Sequence, residues 1–459
     1  MTEVIAALRE ALGDDAVRTG EAIGERHHTD WSGHAPAQPR ALLLPRTTEE
    51  VAAALRICDA HRQSVVPQGG MTGLAGAAVP TAGDIVLSLE RMSGVEEIDP
   101  AAATLTVLAG TPLQVAQEAA AAQGFELALD FGARGSCQIG GNIATNAGGL
   151  RVIQSGMTRD LLLGLEVVLA DGTILSSLNK MVKNNTGYDL KQLFVGSEGT
   201  LGVITRAVLR LSPPRPQRHT ALCALADFDG ALALLGHMRR RLGSDVGAFE
   251  LMWPDFFDLC VSLTRSKTSP FAAAHPMYVL VEMASIGGDD DAGRFAAVLG
   301  DALEDGIVTD AVIAQSASDA AALWEIRECT AEFPVALDPI NLDISLPIGR
   351  IGAFVDECRA AFAAAWPVHR AFFFGHIGDS NLHVTVDGRT SPGATHAGVD
   401  DIAYALVRQY GGSVSAEHGI GVLKRPYLSY SRMPAELATM RRIKQALDPN
   451  GILNPGKVL

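Results

Sequence analysis

Apolar and polar residues alternate along the first half of the chain with the periods of short strands and helices. β-branched and leucine-rich runs predict strands at 42–45, 64–67, 84–89 and 104–108. The helical period predicts a helix at 47–62, with Thr48 as its N-cap, and a helix at 112–123, with a proline at its start. Residues 41–211 are therefore expected to mix α and β structure.

A second pattern begins after the proline cluster at 212–216. Such a cluster cannot continue a helix or a central strand, so it predicts a domain boundary. Beyond it, strands are predicted at 247–252, 278–283, 342–347 and 371–374, and helices at 229–241, 254–263, 292–303 and 352–365. No glycine signature of a βαβ unit accompanies them, so we expect an antiparallel sheet with helices on one face.

Composition limits the class of protein. The chain has 459 residues, enough for two or three domains, and its net charge of -15 argues against binding to nucleic acid. Its six cysteines form no Cys-x-x-Cys pair, which favours reduced thiols and a cytoplasmic location. Residues 2–16 are typical of an amphipathic helix rather than a signal peptide. No apolar stretch is long enough to cross a bilayer, so we expect a soluble protein.

Three glycine-rich loops stand out in the first half: loop 1 (residues 67–80), loop 2 (132–149) and loop 3 (196–205). Consecutive glycines let backbone N–H groups approach an anion, and the small residues and amides of loop 2 suit a planar heterocycle. Loop 1 lacks Gly-x-Gly-x-x-Gly and is followed by a strand, which disfavours a dinucleotide-binding domain of the Rossmann type. The loops therefore predict a site for a ligand with a phosphate group and a planar heterocycle.

Two polar motifs interrupt the apolar second half. The first, HIGDSNLH, contains His376 and His383, and the second, SAEHGIG, contains Glu417 and His418. Two imidazoles and a carboxylate suit a borderline divalent metal such as zinc with one position left for substrate. His418 is then available as a general base. The alternative is that these are ordinary polar residues at strand ends.

The motifs SCQIGGNIATNAGG at 136–149 and KNNTGYDL at 183–190, taken with these two, resemble the vanillyl-alcohol-oxidase (PCMH-type) superfamily of FAD-binding enzymes. Within it, the chain most resembles the D-2-hydroxyglutarate and D-lactate dehydrogenases, essentially from end to end. The resemblance implies non-covalent FAD, because loop 1 has no histidine where some relatives tether the flavin. The cofactor-binding residues that it implies are Pro67, Gly69, Gly70, Met71, Thr72, Gly73, Leu74, Ser136, Gly140, Gly141, Ala144, Thr145, Asn146, Gly148, Gly202, Ile204 and Asn454.

The resemblance also assigns roles in the second half. His376, His383 and Glu417 would bind the metal, expected to be zinc, which would chelate the substrate's 2-hydroxyl and carboxylate. His418 would accept the hydroxyl proton while hydride leaves for the flavin, and Arg327 would bind a substrate carboxylate. Without the resemblance, Arg327 is equally well explained as a helix-surface ion pair.

Three positions depart from the D-2-hydroxyglutarate pattern. Asn341 stands where a lysine is usual, Thr385 where an asparagine is usual, and Ala331 where a hydroxyl is common. Asn341 and Thr385 are still expected to face the substrate. The expected reaction is oxidation of D-2-hydroxyglutarate to 2-oxoglutarate, with D-lactate or D-malate as alternative substrates.

The expected fold is α+β. Residues 1–213 would form the two-subdomain PCMH-type FAD-binding domain and 217–420 a cap domain with an antiparallel sheet and the metal site. Residues 421–459 would be a C-terminal helical segment that packs back on the FAD domain. The implied partners are a small D-2-hydroxy acid and an electron acceptor, either an electron-transfer flavoprotein or a quinone-linked chain. A homodimer is left open.

Two other classes of protein could contain some of these motifs. A flavin-independent metal hydrolase would use the histidines and Glu417 but would leave the glycine loops unexplained. A catalytically silent binding module of the same fold would not need His418 and the complete metal-ligand set.

Overall fold

The computed structural model describes residues 2–459, which form two compact units. The first unit comprises the chain up to Gly149, Ser155–Pro214 and Glu417–Leu459, and the second comprises Leu150–Gln154 and Arg215–Ala416. The predicted mixture of helices and antiparallel sheet is confirmed. The domain boundaries given above stay a prediction.

The first unit contains two sheets. The smaller has the order β1-β2-β4-β3, with β2, β4 and β3 parallel and β1 antiparallel at the edge. The larger is antiparallel, with the order β5-β6-β9-β7-β8. The strands are β1 Val17–Arg18, β2 Ala41–Leu43, β3 Val65–Gln68, β4 Ile85–Ser88, β5 Val95–Asp99, β6 Thr104–Leu108, β7 Leu162–Val168, β8 Ile174–Ser177 and β9 Val203–Arg210.

Helices cover these sheets and close an apolar core of leucine, valine and isoleucine side chains. Burial of this apolar surface is the main stabilising contribution to the unit. The helices are α1 Thr2–Leu12, α2 Thr48–Ala60, α3 Leu113–Ala122, α4 Ile139–Thr145, α5 Val152–Ser155 (which begins in the second unit), α6 Thr158–Leu161, α7 Lys191–Phe194, α15 Leu428–Ser431 and α16 Pro434–Leu447.

Two local expectations are wrong. The N-cap of α2 is Thr47 rather than Thr48, because the Thr47 side chain accepts the Glu50 N–H at 3.2 Å. Adjacent threonines make this position ambiguous in sequence. Loop 2 is not wholly irregular, since α4 forms inside it. Gly140 lies in α4 where a Cβ would be 2.8 Å from the Ala109 Cβ, so glycine permits close packing of this helix.

The second unit is one antiparallel sheet of seven strands in the order β13-β10-β12-β11-β15-β16-β14. Its strands are β10 Gln217–Leu225, β11 Val246–Met252, β12 Met277–Ser285, β13 Asp310–Ile313, β14 Pro339–Ser345, β15 Ala371–Gly375 and β16 Asn381–Asp387. Its helices are α8 Phe228–Leu242, α9 Pro254–Leu263, α10 Asp291–Glu304, α11 Ala317–Arg327, α12 Phe333–Ala336, α13 Ile351–Ala365 and α14 His396–Tyr410.

Helices lie on both faces of this sheet, whereas the sequence pattern predicted helices on one face. Phe374 of β15 stacks on Phe256 of α9 at a centroid distance of 4.0 Å. The neighbouring Phe373, whose side chain points to the opposite face, has the Arg359 guanidinium of α13 4.7 Å from its ring centroid.

The cysteines differ from expectation at one pair. Cys260 of α9 and Cys329, just after α11, are joined by a disulfide with their Cα atoms 5.5 Å apart. The other four cysteines are buried free thiols. Within residues 2–459, no helix combines the length and the apolar character that a membrane crossing requires.

Candidate functional site

A cavity of about 370 Å³ opens in the first unit between the three glycine loops. Backbone and small side chains form most of its wall, and Glu417 and His418 lie at its surface. The predicted cofactor residues that line it are Pro67, Gly69, Gly70, Met71, Thr72, Gly73, Leu74, Gly140, Gly141, Ala144, Thr145, Gly148, Gly202 and Ile204. The structure therefore brings the three loops to one cavity.

Three of the predicted cofactor-binding residues, Ser136, Asn146 and Asn454, do not line the cavity. A Cβ on Gly70 would be 2.1 Å from the Ser136 carbonyl oxygen, so loops 1 and 2 pack backbone to backbone there. Asn146 ends α4 in the left-handed conformation and accepts the Arg159 N–H at 3.0 Å. The Asn454 side-chain amide donates to the carbonyls of Ala77 and Glu198 at 3.0 and 2.7 Å, and so joins loop 1 to loop 3.

The cavity wall fits a planar heterocycle with a phosphate tail. A Cβ on Gly141 would meet no atom of residues 2–459 within 4 Å, because that position faces the open cavity. Gln138 also lines the cavity, and its buried side-chain oxygen has no hydrogen-bond partner among the described residues. A buried polar atom without a partner is costly, so a hydrogen-bonding ligand is the expected complement.

Glu198 of loop 3 holds the turn that follows His418. Its carboxylate accepts the N–H groups of Ile420 and Gly421 at 2.7 and 2.8 Å. Burial raises the pKa of Glu198 to about 7, against these hydrogen bonds and the charge of Lys424, which favour the ionised form. Sequence analysis missed this role because the partner is more than two hundred residues away in the chain.

The second unit carries a polar strip on one face of its sheet. In the β14–β16 register, Asn341 is opposite Thr385 and Asp343 is opposite His383. The Thr385 hydroxyl donates to the Asn341 side-chain oxygen at 2.7 Å. Because alternate residues of a strand share a face, His383 and Thr385 present their side chains to the same side.

His376 lies at the end of β15, and its ring centroid is 5.2 Å from that of His383. The two rings are nearly perpendicular, at 82°. His376 Nδ1 is 2.7 Å from the carboxylate of Glu250, a fully buried residue of β11. Sequence analysis missed Glu250, although a lone charge inside the apolar run of β11 is a usable signal.

Arg327 is bonded to the same Glu250 carboxylate as His376. Its Nε donates to Glu250 at 2.7 Å, and its guanidinium carbon is 4.9 Å from the centroid of the Phe374 ring. Burial by itself would raise the pKa of Glu250, but the charges and hydrogen bonds of His376 and Arg327 lower it to about 2. Arg327 is thus a buried cation at the polar strip rather than a surface ion pair on α11.

Two further carboxylates border the strip. Burial raises the pKa of Asp379 to about 6, with His376 lowering it and Glu250 raising it. Asp343 accepts the backbone N–H of Ala416 at 3.2 Å. Ala416 is the last residue of this unit, and Asp343 lies opposite His383 in the β14–β16 pair.

A cavity lined by glycine-rich loops in the first unit and a histidine-rich polar strip in the second unit are the features expected of a flavoprotein oxidoreductase. The chain matches the family of FAD linked oxidases, C-terminal domain, over residues 215–458, and the FAD binding domain over residues 39–177. The chain therefore belongs to the family of FAD-linked oxidases.

Full-length relatives agree with this family. The chain is 41% identical to the D-2-hydroxyglutarate dehydrogenase of Xanthomonas citri pv. viticola, over 99% of this chain and 96% of the relative. It is 40% identical to the mitochondrial D-2-hydroxyglutarate dehydrogenase of Bos taurus, over 99% of this chain and 83% of the relative.

Solved structures agree on the fold. An alkyldihydroxyacetonephosphate synthase superposes with a TM-score of 0.75 at 17% identity, over 99% of this chain and 84% of its own. A 4-ethylphenol oxidase from Gulosibacter chungangensis superposes with a TM-score of 0.73 at 19% identity, over 100% of this chain and 96% of its own.

Proposed function

We propose that this protein oxidises D-2-hydroxyglutarate to 2-oxoglutarate, passing a hydride from the substrate's C2 to FAD. The observation that carries the proposal is the polar strip of His376, His383 and Arg327 in a chain whose other unit holds a cavity lined by three glycine-rich loops. The relatives from Xanthomonas and Bos that bear this name, at 41% and 40% identity, support it.

FAD would be held by the glycine loops without a covalent bond. Gly69–Leu74 would surround the pyrophosphate, the residues of α4 and Gly148 would face the isoalloxazine, and Gly202 and Ile204 would contact the adenine side. Gln138, with its buried side-chain oxygen, would complete a hydrogen bond to the ring system. When bound, FAD supplies the hydride acceptor.

A divalent metal, with zinc as our first choice, would be held by His376, His383 and Glu417. The donor set of two imidazoles and a carboxylate suits zinc with a position open to substrate. The near-perpendicular His376 and His383 rings, and the anchoring of Ala416 on Asp343, support it. When bound, the metal lowers the pKa of a coordinated hydroxyl and fixes its orientation.

The protein's own groups would then perform three tasks. His418, at the wall of the flavin cavity, would accept the proton of the 2-hydroxyl. Arg327, held by Glu250 and the Phe374 ring, would bind a substrate carboxylate. The glycine-lined wall would exclude water from the flavin while the hydride is transferred.

D-lactate or D-malate is the second candidate substrate. Asn341, where a lysine is usual, is bonded to Thr385 and offers no positive charge to a second carboxylate. D-lactate, with one carboxylate, would lose less at this position than D-2-hydroxyglutarate or D-malate, which have two, so Asn341 favours D-lactate of the two alternatives.

The proposal also includes an electron acceptor and a cellular location. Reduced flavin requires an electron acceptor, and we retain an electron-transfer flavoprotein or a quinone-linked chain, with a homodimer left open. We place the protein in the cytoplasm; the relative from Bos taurus is named mitochondrial, and the name of the relative from Xanthomonas gives no location.

The test is a panel of D-2-hydroxy acids and their L-enantiomers with an artificial electron acceptor. We expect D-2-hydroxyglutarate to give the highest kcat/KM, the L-enantiomers to be inactive, and acid precipitation to release the flavin. A colourless protein without flavin, or equal activity on both enantiomers, would contradict the proposal.

A further inference from the structure

Glu250 is a charged residue in the middle of an apolar strand. Every residue of β11 is buried, and the Glu250 side chain is 1% exposed. Removing a carboxylate from water is unfavourable unless hydrogen bonds and opposite charge replace the lost hydration. Its partners therefore indicate why a carboxylate is needed there.

The two oxygens of Glu250 serve two different residues. Oε1 is 2.7 Å from His376 Nδ1, and Oε2 accepts the Arg327 Nε–H at 2.7 Å. Both distances are those of charge-assisted hydrogen bonds. One carboxylate thus joins the first proposed metal ligand to the proposed substrate-binding cation.

The bond to His376 decides which ring nitrogen can bind a metal. A carboxylate at Nδ1 favours the tautomer in which Nδ1 carries the hydrogen, and this leaves the Nε2 lone pair for coordination. Such a carboxylate also raises the basicity of the ligand and holds the ring plane.

The hydrogen bond from Arg327 to Glu250 fixes the orientation of the guanidinium group. With Nε bonded to Glu250 and the guanidinium carbon over the Phe374 ring, the plane of the guanidinium is fixed at two points. The terminal nitrogens then carry the remaining donors, in the fork that binds a carboxylate. The Phe374 ring is also 5.0 Å from the His383 ring, between their centroids.

We propose that Glu250 is a positioning residue that sets the His376 tautomer and the Arg327 fork together, so that metal binding and substrate-carboxylate binding share one buried anion. This inference rests on the proposed function, because it takes His376 as a metal ligand and Arg327 as the substrate cation. It adds Glu250, which contacts neither metal nor substrate in the proposal.

Glu282 provides a matched control on the neighbouring strand. It lies on β12, which pairs with β11, and its side chain is 3% exposed. Its partners are Arg151, Arg218 at 3.0 Å and the indole Nε1 of Trp324 at 3.2 Å. Glu282 thus matches Glu250 in burial and charge, but it bonds no residue of the proposed site.

The experiment compares Glu250→Gln and Glu282→Gln in the full-length, FAD-loaded protein. Zn²⁺ affinity is measured by competition with a chromogenic chelator, and kcat and KM for D-2-hydroxyglutarate are measured per folded molecule. We expect Glu250→Gln to weaken Zn²⁺ binding by about 10- to 100-fold and to raise KM as well as lower kcat. Glu282→Gln should lower thermal stability but leave Zn²⁺ affinity and KM unchanged.

A measurement on the unaltered protein applies if Glu250→Gln does not fold. The ¹⁵N shifts of His376 in the Zn²⁺-loaded protein, assigned with His376→Gln, should show hydrogen on Nδ1 and a metal-bound Nε2. The reverse tautomer would overturn the inference, as would equal Zn²⁺ affinity and KM in Glu250→Gln and wild type. If the wild type itself binds no Zn²⁺, the proposed metal site fails, and the inference fails with it.

Discussion

The flavin cavity of the first unit is built mainly from backbone and small residues, whereas the polar strip of the second unit is built from charged side chains. In the first, glycines at Gly70 and Gly141 give room for close approach, one to the backbone of loop 2 and one to the open cavity. In the second, Glu250 of the buried strand β11 is held by charge and hydrogen bonds from His376 and from Arg327 at the end of α11. A substitution in the cavity is therefore expected to act by blocking close approach, whereas a substitution in the polar strip removes a charge or a hydrogen bond.

The difference also determines what each change can test. A substitution in the strip can remove chemistry while the cavity still binds a flavin, because the two sets of residues belong to different units. A substitution at the cavity wall changes the flavin environment directly.

The two largest expected effects are those of His383→Ala and His418→Asn. If His383 is a metal ligand, losing several kcal/mol of transition-state stabilisation corresponds to about a 10³-fold fall in turnover. FAD content per chain should be unchanged, and His369→Ala should be nearly silent, because His369 Nδ1 is bonded to the Trp366 carbonyl at 2.9 Å. Loss of flavin from His383→Ala would contradict the claim that flavin binding in the first unit is independent of the histidines in the second unit.

His418→Asn should slow flavin reduction by roughly 10²- to 10⁴-fold, the usual contribution of a general base. The residue lines the flavin cavity, so stopped-flow absorbance of the flavin reports the step directly. The control is His61→Asn, an exposed histidine at the end of α2. Unchanged reduction in His418→Asn would mean that another group accepts the proton.

Glu198→Gln tests the cavity wall through the pH dependence of the free energy of unfolding. The pKa of Glu198 is raised to about 7, so the folded state binds its proton more tightly than the unfolded state does. That stabilisation is complete below the unfolded pKa of 4.5 and is lost as pH rises through 7. Wild type should therefore lose about 2 kcal/mol relative to Glu198→Gln between roughly pH 5 and 7.5, measured by urea unfolding. Parallel stability curves for the two proteins would contradict this.

The smallest expected effect concerns specificity. Asn341→Lys should increase the preference for D-2-hydroxyglutarate over D-lactate by about ten- to a hundredfold, since one charged hydrogen bond contributes about 1.5–3 kcal/mol. The ratio of kcat/KM values is the measurement. An unchanged ratio would place the second carboxylate away from the Asn341–Thr385 pair.

Sequence predicted the fold class and the three glycine loops because their signals are local. Loop 1 and loop 3 are contiguous runs whose glycines can be read directly, and the apolar pattern predicted β11, β12, β14 and β15 of the second unit but not β10, β13 or β16. The N-cap of α2 was misplaced by one residue because Thr47 and Thr48 are both good caps.

What the sequence could not reveal depends on pairing between distant strands. The contact of Glu250 with Arg327 and His376 follows from the order β12-β11-β15 and from the packing of α11, which no local pattern specifies. The Cys260–Cys329 pair likewise joins α9 to the segment just after α11, and the two cysteines are separated by 69 residues in the chain. Such contacts need the tertiary structure.

The most direct test of the account is single-turnover flavin reduction by D-2-hydroxyglutarate in metal-free protein, with and without added Zn²⁺. Both samples should contain the same amount of FAD, because the cavity lies in the first unit and its loops contain none of the proposed histidine ligands. The metal-free flavin should be reduced slowly, and added Zn²⁺ should restore rapid reduction. Rapid reduction in protein shown by elemental analysis to be metal-free would contradict it.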